Sequence, residues 1–230
     1  MEKWIYSFNK SIDEIENPSE LLGNKGAGLN LMTGLDLPVP QGFTILTKLN
    51  HYFQKNKSFP DEFENELIKN IFDLEKKSNC KFGSSTNPLL LSVRSGSQKS
   101  MPGMLDTILN IGFNRKVLDF YEKQNKPLFA WDTWRRFLHM FSHVVYKIEH
   151  FYFDEILDSY LLGAGLQFEK DLGVNDIQEI CSQYLTLIED RIGKPFPEDV
   201  NEQLMLSIKA VMESWFNERA IDYRRINDVP

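Results

Sequence analysis

Residues 88–112 read PLLLSVRSGSQKSMPGMLDTILNIG, and this stretch constrains the chain more than any other. Leu89–Val93 is a short apolar run of the kind that forms a buried strand, and a second apolar run follows Thr107. Between them stand Arg94, a Ser- and Gly-rich segment, and Met101-Pro102-Gly103-Met104. An anion such as a polyphosphate needs positive charge and N–H donors close to its oxygens. Glycine lets the backbone approach, and an arginine grips two oxygens at once. Ser95, Ser97, Ser100 and Thr107 add hydroxyl donors, so the segment fits a phosphate-handling loop. The same composition also fits a surface hairpin with an exposed arginine. The pattern is neither GxxxxGK[ST] nor GxGxxG, so spacing alone does not decide between them.

Lys25 is the second candidate. In LLGNKGAGL, Gly23 and Gly26 bracket it just before a short helical stretch that ends near Gly34. Helix N-termini favour anions, so a lysine there suits a phosphate; a turn lysine in solvent fits equally well. Trp4–Phe8 reads as an opening strand, the acidic segment through Asn17-Pro18-Ser19 as a loop, and Phe43–Thr47 as a second strand. From Asp61 the periodicity is helical. Asp61 and Glu64 resemble a capping box, and Phe63, Leu67, Ile71 and Leu74 share one face.

After Gly112 no strand pattern appears until about Phe196. Trp134, Phe137, Leu138, Phe141, Val145 and Ile148 recur at helical spacing, as do Ile177, Ile180, Tyr184, Leu187 and Ile188. Phe129, Trp131, Trp134, Phe137 and Phe141 form an aromatic stripe expected in a core or subdomain interface. Asp132 is placed to help cap its helix, and Arg135 and Arg136 to face solvent or a neighbouring domain. Lys194-Pro195-Phe196-Pro197 is a rigid break. A last amphipathic helix carries Leu204, Ile208, Val211 and Trp215. The expected fold is therefore α+β (mixed α/β). Residues 1–112 with 198–230 form the sheet-bearing part, and residues 113–197 form an inserted, mainly helical subdomain.

Totals exclude several function classes. A net charge of -7 argues against a broad nucleic-acid face. No apolar run reaches the roughly 18 residues of a membrane helix, and MEKWIYSFNKSIDE lacks the apolar core of a signal peptide. Cys80 and Cys181 belong to no CxxC pattern and read as free thiols of a cytoplasmic protein. His139 and His143 lie four apart on one helix, but Met140 replaces the glutamate of an HExxH motif and no cysteine completes a zinc site. His51 and His150 have no evident partners. No cluster of carboxylates has metal-site spacing.

LLGNKGAGLNLMTGLDLPVPQGFTI, PLLLSVRSGSQKSMPGMLDTILNIGFN, FAWDTWRRFLHMFSHVV and SWFNERAIDYRRIND together resemble, in that order, the N-terminal part of the pyruvate, phosphate dikinase family. The likeness covers essentially the whole chain and is most specific in SVRSGS…SMPGMLDTILN. The related phosphoenolpyruvate synthases share the lysine and the VRS arginine but differ around Met-Pro-Gly-Met. The resemblance implies an ATP-grasp-like nucleotide-binding domain in which Lys25 and Arg94 contact ATP phosphates. Met101, Gly103, Met104, Leu105, Asp106 and Thr107 would then lie along those phosphates.

It also implies a reaction that interconverts ATP, pyruvate and phosphate with AMP, phosphoenolpyruvate and diphosphate. A phosphohistidine on a central domain carries the phosphoryl group to a C-terminal pyruvate barrel. Mg²⁺ and a monovalent cation are implied, with the Mg²⁺ ligands outside this chain, and the whole enzyme is expected to be a homodimer. None of the four histidines sits in the family's phosphohistidine motif. The chain is therefore expected to be the nucleotide-binding portion of a longer enzyme and inactive alone. The alternative is a non-catalytic docking module from a truncated or split gene.

Overall fold

The computed structural model describes residues 2–8, 15–97, 99 and 101–229, so Ser100 lies outside the described residues. In chain order the strands are β1 (Ile5–Ser7), β2 (Phe43–Ile45), β3 (Lys81–Phe82), β4 (Pro88–Leu89), β5 (Leu91–Arg94) and β6 (Thr107–Ile111). The helices are α1 (Pro18–Gly34), α2 (Thr47–Asn56), α3 (Phe63–Ser78), α4 (Arg115–Lys123), α5 (Pro127–Tyr146), α6 (His150–Ala164), α7 (Val174–Ile192), α8 (Val200–Glu213) and α9 (Glu218–Ile226). Short 3₁₀ turns occupy Glu169–Asp171 and Ser214–Phe216. The fold is mixed helix and sheet, with helices dominant.

The chain divides into two compact units. The first comprises Met1–Cys80, Ser95–Leu105 and Met212–Pro230, the second Lys81–Arg94 and Asp106–Val211. Residue 112 lies inside the second unit, where β5 pairs with β6 and β6 packs on α5.

In the first unit, β1 and β2 form an antiparallel pair, with Ile5 opposite Ile45 and Ser7 opposite Phe43. Among the described residues, the outer edge of β1 meets no third strand. Instead the Glu66 carboxylate of α3 accepts the Trp4 N–H at 2.9 Å and the Ile5 N–H at 3.2 Å. Phe63, Leu67, Ile71 and Leu74 are buried on one face of α3, as their spacing requires. Phe59 stacks between Phe53 and Phe63, with ring centroids 5.0 and 5.1 Å away.

Two local expectations fail in this unit. Pro18 and Ser19 are not loop but the first turn of α1, where proline's fixed φ suits a helix start. The Asp61–Glu64 capping box does not form: α3 begins at Phe63, and the flanking Glu62 is helical with no side-chain cap bond. The structure also adds α2, which follows β2 directly. Thr47, expected to end that strand, is its first residue, and its hydroxyl donates to the Glu20 carbonyl at 2.7 Å.

In the second unit, β3 and β4 pair in parallel, and β5 pairs antiparallel with β6. Trp134, Phe137, Leu138 and Phe141 of α5 are fully buried. The Pro-Phe-Pro break drives Phe196 edge-on into this stripe, 5.5 Å from Trp134 and 5.1 Å from Phe141. Phe129 departs from the stripe and is 54% exposed, edge-on to Tyr121. Arg135 does not face solvent. It is 4% exposed, with Nη2 2.9 Å from Asp132 and 2.8 Å from Glu169. Asp132 therefore grips Arg135 and Arg136 within α5 rather than capping the helix.

Gln203 of α8 is wholly buried. Its Oε1 accepts the Gly112 N–H at 3.0 Å, and its Nε2 donates to the carbonyls of Phe113 (3.1 Å) and Pro197 (2.8 Å). One side-chain amide thus satisfies three main-chain groups where the strand ends and where the proline break leaves no helical partner. Replacing it by leucine fills the same space but strands those groups. Gln203→Leu is expected to lower unfolding stability by about 3 kcal/mol, measured by denaturant titration.

Candidate functional site

Lys25 projects from a sharply defined corner. α1 is two helical pieces joined at Gly23, whose φ of 70° and ψ of 163° leave the helical region. Only glycine adopts this conformation readily, and here it is also required sterically. A Cβ at Gly23 would overlap the Gly96 carbonyl oxygen, backbone against backbone. The Asn24 N–H then donates to the Ser97 carbonyl at 2.9 Å, fixing residues 95–97 against the start of the second helical piece. Gly26 packs on Thr44 of β2, whose Oγ1 lies 2.7 Å from where a Cβ would stand. Lys25, between these two close approaches, is exposed. The expected helix entrance is therefore present, although its Asn24 amide is committed to Ser97.

Met101-Pro102-Gly103-Met104 folds as a tight turn. Gly103 has φ of 73°, and the Met104 N–H closes onto the Met101 carbonyl at 3.2 Å. Proline at the second position and a positive-φ glycine at the third are the requirements of a type II turn. Met101 is 6% exposed and anchors the turn, whereas Pro102 and Gly103 are exposed. The Met104 carbonyl accepts from Arg219 Nε at 3.2 Å, and the Lys99 ammonium donates to the Asp228 carbonyl at 3.0 Å.

In the second unit, Arg94 ends β5 directly opposite Thr107, which begins β6. Cross-strand neighbours stand roughly 5 Å apart, so the guanidinium and the hydroxyl share one edge of the hairpin. The register shifts between Leu91 and Val93, and Asn110 takes a φ of 59° in the facing strand. This irregularity is the reason Ile108 and Ile111, three apart, are both fully buried. Asp106 is largely buried, with Lys147 Nζ at 3.8 Å. Among the described residues, no ion pair or hydrogen bond engages the side chain of Lys25 or Arg94.

The nominated residues thus separate by unit. Lys25, Met101, Gly103, Met104 and Leu105 belong to the first, and Arg94, Asp106 and Thr107 to the second. Sequence reading missed the tie from Arg219 to the turn, because a guanidinium reaching a main-chain carbonyl leaves no periodic trace. Lys147 as the partner of Asp106 was equally silent.

His150, read as partnerless, is the hub of a histidine cluster in the second unit. His139 Nε2 is 2.8 Å from His150 Nδ1, and the His143 ring stacks on His150 with centroids 3.5 Å apart. His143 Nδ1 donates to the Ile148 carbonyl at 3.0 Å. Burial first, then the neighbouring His150 charge, pushes His139 down to about 4, with His143 and Arg135 acting in the same direction and Asp154 opposing. Among the described residues, no group of three or more His, Cys, Asp or Glu is placed to hold a metal ion. Cys181 is buried, and that burial pushes its thiol up to about 12, so it is no ready nucleophile.

The family model described as the pyruvate phosphate dikinase AMP/ATP-binding domain matches residues 55–230. A Clostridium symbiosum protein named pyruvate, phosphate dikinase is 40% identical over 233 residues, covering 100% of this chain and 26% of its own length. The protein of the same name from Rickettsia prowazekii is 44% identical, with the same coverage of each. A chloroplastic pyruvate, phosphate dikinase from rice, Oryza sativa subsp. japonica, is 39% identical, covering 99% of this chain and 24% of its own length. The chain therefore spans about a quarter of the length of the curated relatives it matches.

Two measurements follow from these contacts. Gly23→Ala sets a methyl group against an immovable carbonyl and forces a non-glycine residue into a strained backbone region. It should cost about 3 kcal/mol or more and raise hydrogen exchange at the Asn24 amide. For His139 the folded pKa lies below the ordinary 6.5 of the unfolded chain, so the unfolded state binds the extra proton first. The stability His139 contributes is present above pH 6.5 and falls away as pH drops toward 4. Denaturant midpoints across that range should decline in the wild type and decline less in His139→Phe.

Proposed function

The chain belongs to the pyruvate phosphate dikinase AMP/ATP-binding domain family, and we propose that it binds the phosphates of ATP through Lys25 and Arg94. The observation that carries this reading is the pair of exposed cations with no protein counter-charge among the described residues, each beside a Ser- and Gly-rich backbone. A cation left unpaired by its own fold is available to an anion, and the guanidinium can engage two phosphate oxygens at once. Thr107, opposite Arg94, adds a hydroxyl donor. The Met101–Met104 turn, with Leu105, supplies exposed backbone that suits a polyphosphate.

The domain is ATP-grasp-like in this proposal, with residues 113–197 as its inserted helical part. The parent activity is phosphoryl transfer among ATP, pyruvate and phosphate through a histidine on another domain. Lys25 and Arg94 orient the triphosphate and offset charge as it redistributes, which is positioning and electrostatics rather than covalent chemistry. Mg²⁺ would neutralise phosphate charge when bound with the nucleotide. Among the described residues no group of three or more His, Cys, Asp or Glu is placed to hold it, and Asp106 is engaged by Lys147. A monovalent cation, a dimeric parent enzyme and a cytoplasmic location complete the reading. No helix of the described residues is long and apolar enough to cross a membrane.

Calorimetry of the chain with ATP tests the reading. Lys25→Ala and Arg94→Ala should each weaken binding by roughly 10- to 100-fold, the value of a lost charge-assisted hydrogen bond. Binding that is unchanged in both variants would sink it.

A further inference from the structure

We infer that Arg219 is a positioning residue for the nucleotide loop, setting the direction of the Leu105 N–H through its bond to the Met104 carbonyl. This rests on the reading of the preceding subsection and adds a residue to it. The peptide bond is planar and trans, so the Met104 carbonyl and the Leu105 N–H point in opposite directions from one rigid unit. Arg219 Nε holds that carbonyl at 3.2 Å. The Leu105 N–H is thereby turned away from α9, and no described protein group accepts it. A donor with fixed direction and no protein acceptor is what a phosphate oxygen requires.

The second tie makes the first directional. Lys99 donates to the Asp228 carbonyl just past the end of α9, whereas Arg219 reaches out from its first turn. These anchors are separated by about 13 Å along the helix. One tie would leave the segment free to pivot; two hold it in one orientation. The helix is itself fastened, since Arg224 donates to the Trp215 carbonyl at 3.1 Å and lies over the Trp215 ring. Lys99 sits at the helix end whose partial negative charge favours a cation. Arg219 sits at the opposite end, where the helix dipole disfavours a cation.

The test is an ATP titration of the ¹⁵N-labelled chain, reading the Leu105 amide signal and the affinity together. In the wild type the Leu105 amide should shift on ATP addition. Arg219→Gln should abolish that shift and weaken affinity about tenfold, and Arg219→Lys should restore part of both. Lys99→Met, which cuts the other tie and leaves Arg219 in place, should give an intermediate loss if Arg219→Gln folds poorly. An Arg219→Gln chain with wild-type affinity and a wild-type Leu105 shift, alongside a Lys25→Ala chain that has lost binding, overturns the positioning role and leaves the proposed function standing. A wild-type chain without any ATP response overturns the proposed function and this inference with it.

Discussion

The contact of Gly23 with Gly96 is the constraint on which the first unit's candidate surface depends. Two main-chain segments more than 70 residues apart in sequence meet with no side chain between them. That meeting breaks α1 in two, exposes Lys25 at the break and lays residues 95–97 alongside. The Met101–Met104 turn then continues from a segment already fixed at one end, and α9 holds it at the other. Lys25 is presented by backbone geometry, and among the described residues no acidic side chain pairs with it.

The second unit solves a different problem. Its hairpin carries Arg94 and Thr107 at one edge, and the strand behind them must end without stranding polar groups. Gln203 of α8 closes the Gly112 amide and caps the Pro197 carbonyl, and Phe196 of the Pro-Phe-Pro break fills the aromatic stripe of α5. The break is thus a core element. Interrupting a helix frees the main chain to turn an aromatic ring inward, and a buried amide satisfies the carbonyl exposed by the interruption.

Much of this was legible in the sequence where one physical period dominates. The buried face of α3, the aromatic run of α5 and the strands around residues 5–7 and 43–45 follow from spacing alone, whereas the run Leu89–Val93, read as one buried strand, divides between β4 and β5 and is only half-buried. The glycines around Lys25 and the Pro-Gly turn were also readable, because each needs a specific backbone conformation. What escaped was set by tertiary contacts. Lys57, Asn79 and Lys147 end helices in the left-handed conformation where glycine would have signalled a stop. Thr47 looked like strand because β2 and α2 adjoin without a polar linker. Arg135 looked like a surface residue because its burial is made possible by Glu169, 34 positions away. The phosphate-binding roles proposed for Lys25 and Arg94 came from family likeness; composition favoured ordinary solvent-facing cations.

Glu66 has a consequence beyond holding β1. A two-stranded sheet with a bare outer edge is a template for another chain's strand, and short apolar strands such as Trp4-Ile5-Tyr6 are the kind that recruit one. By occupying the Trp4 and Ile5 amides with a carboxylate, α3 removes the donors that an incoming strand would need and sets a negative charge where it would dock. The same side chain that knits helix to sheet therefore guards the molecule against edge-to-edge self-association.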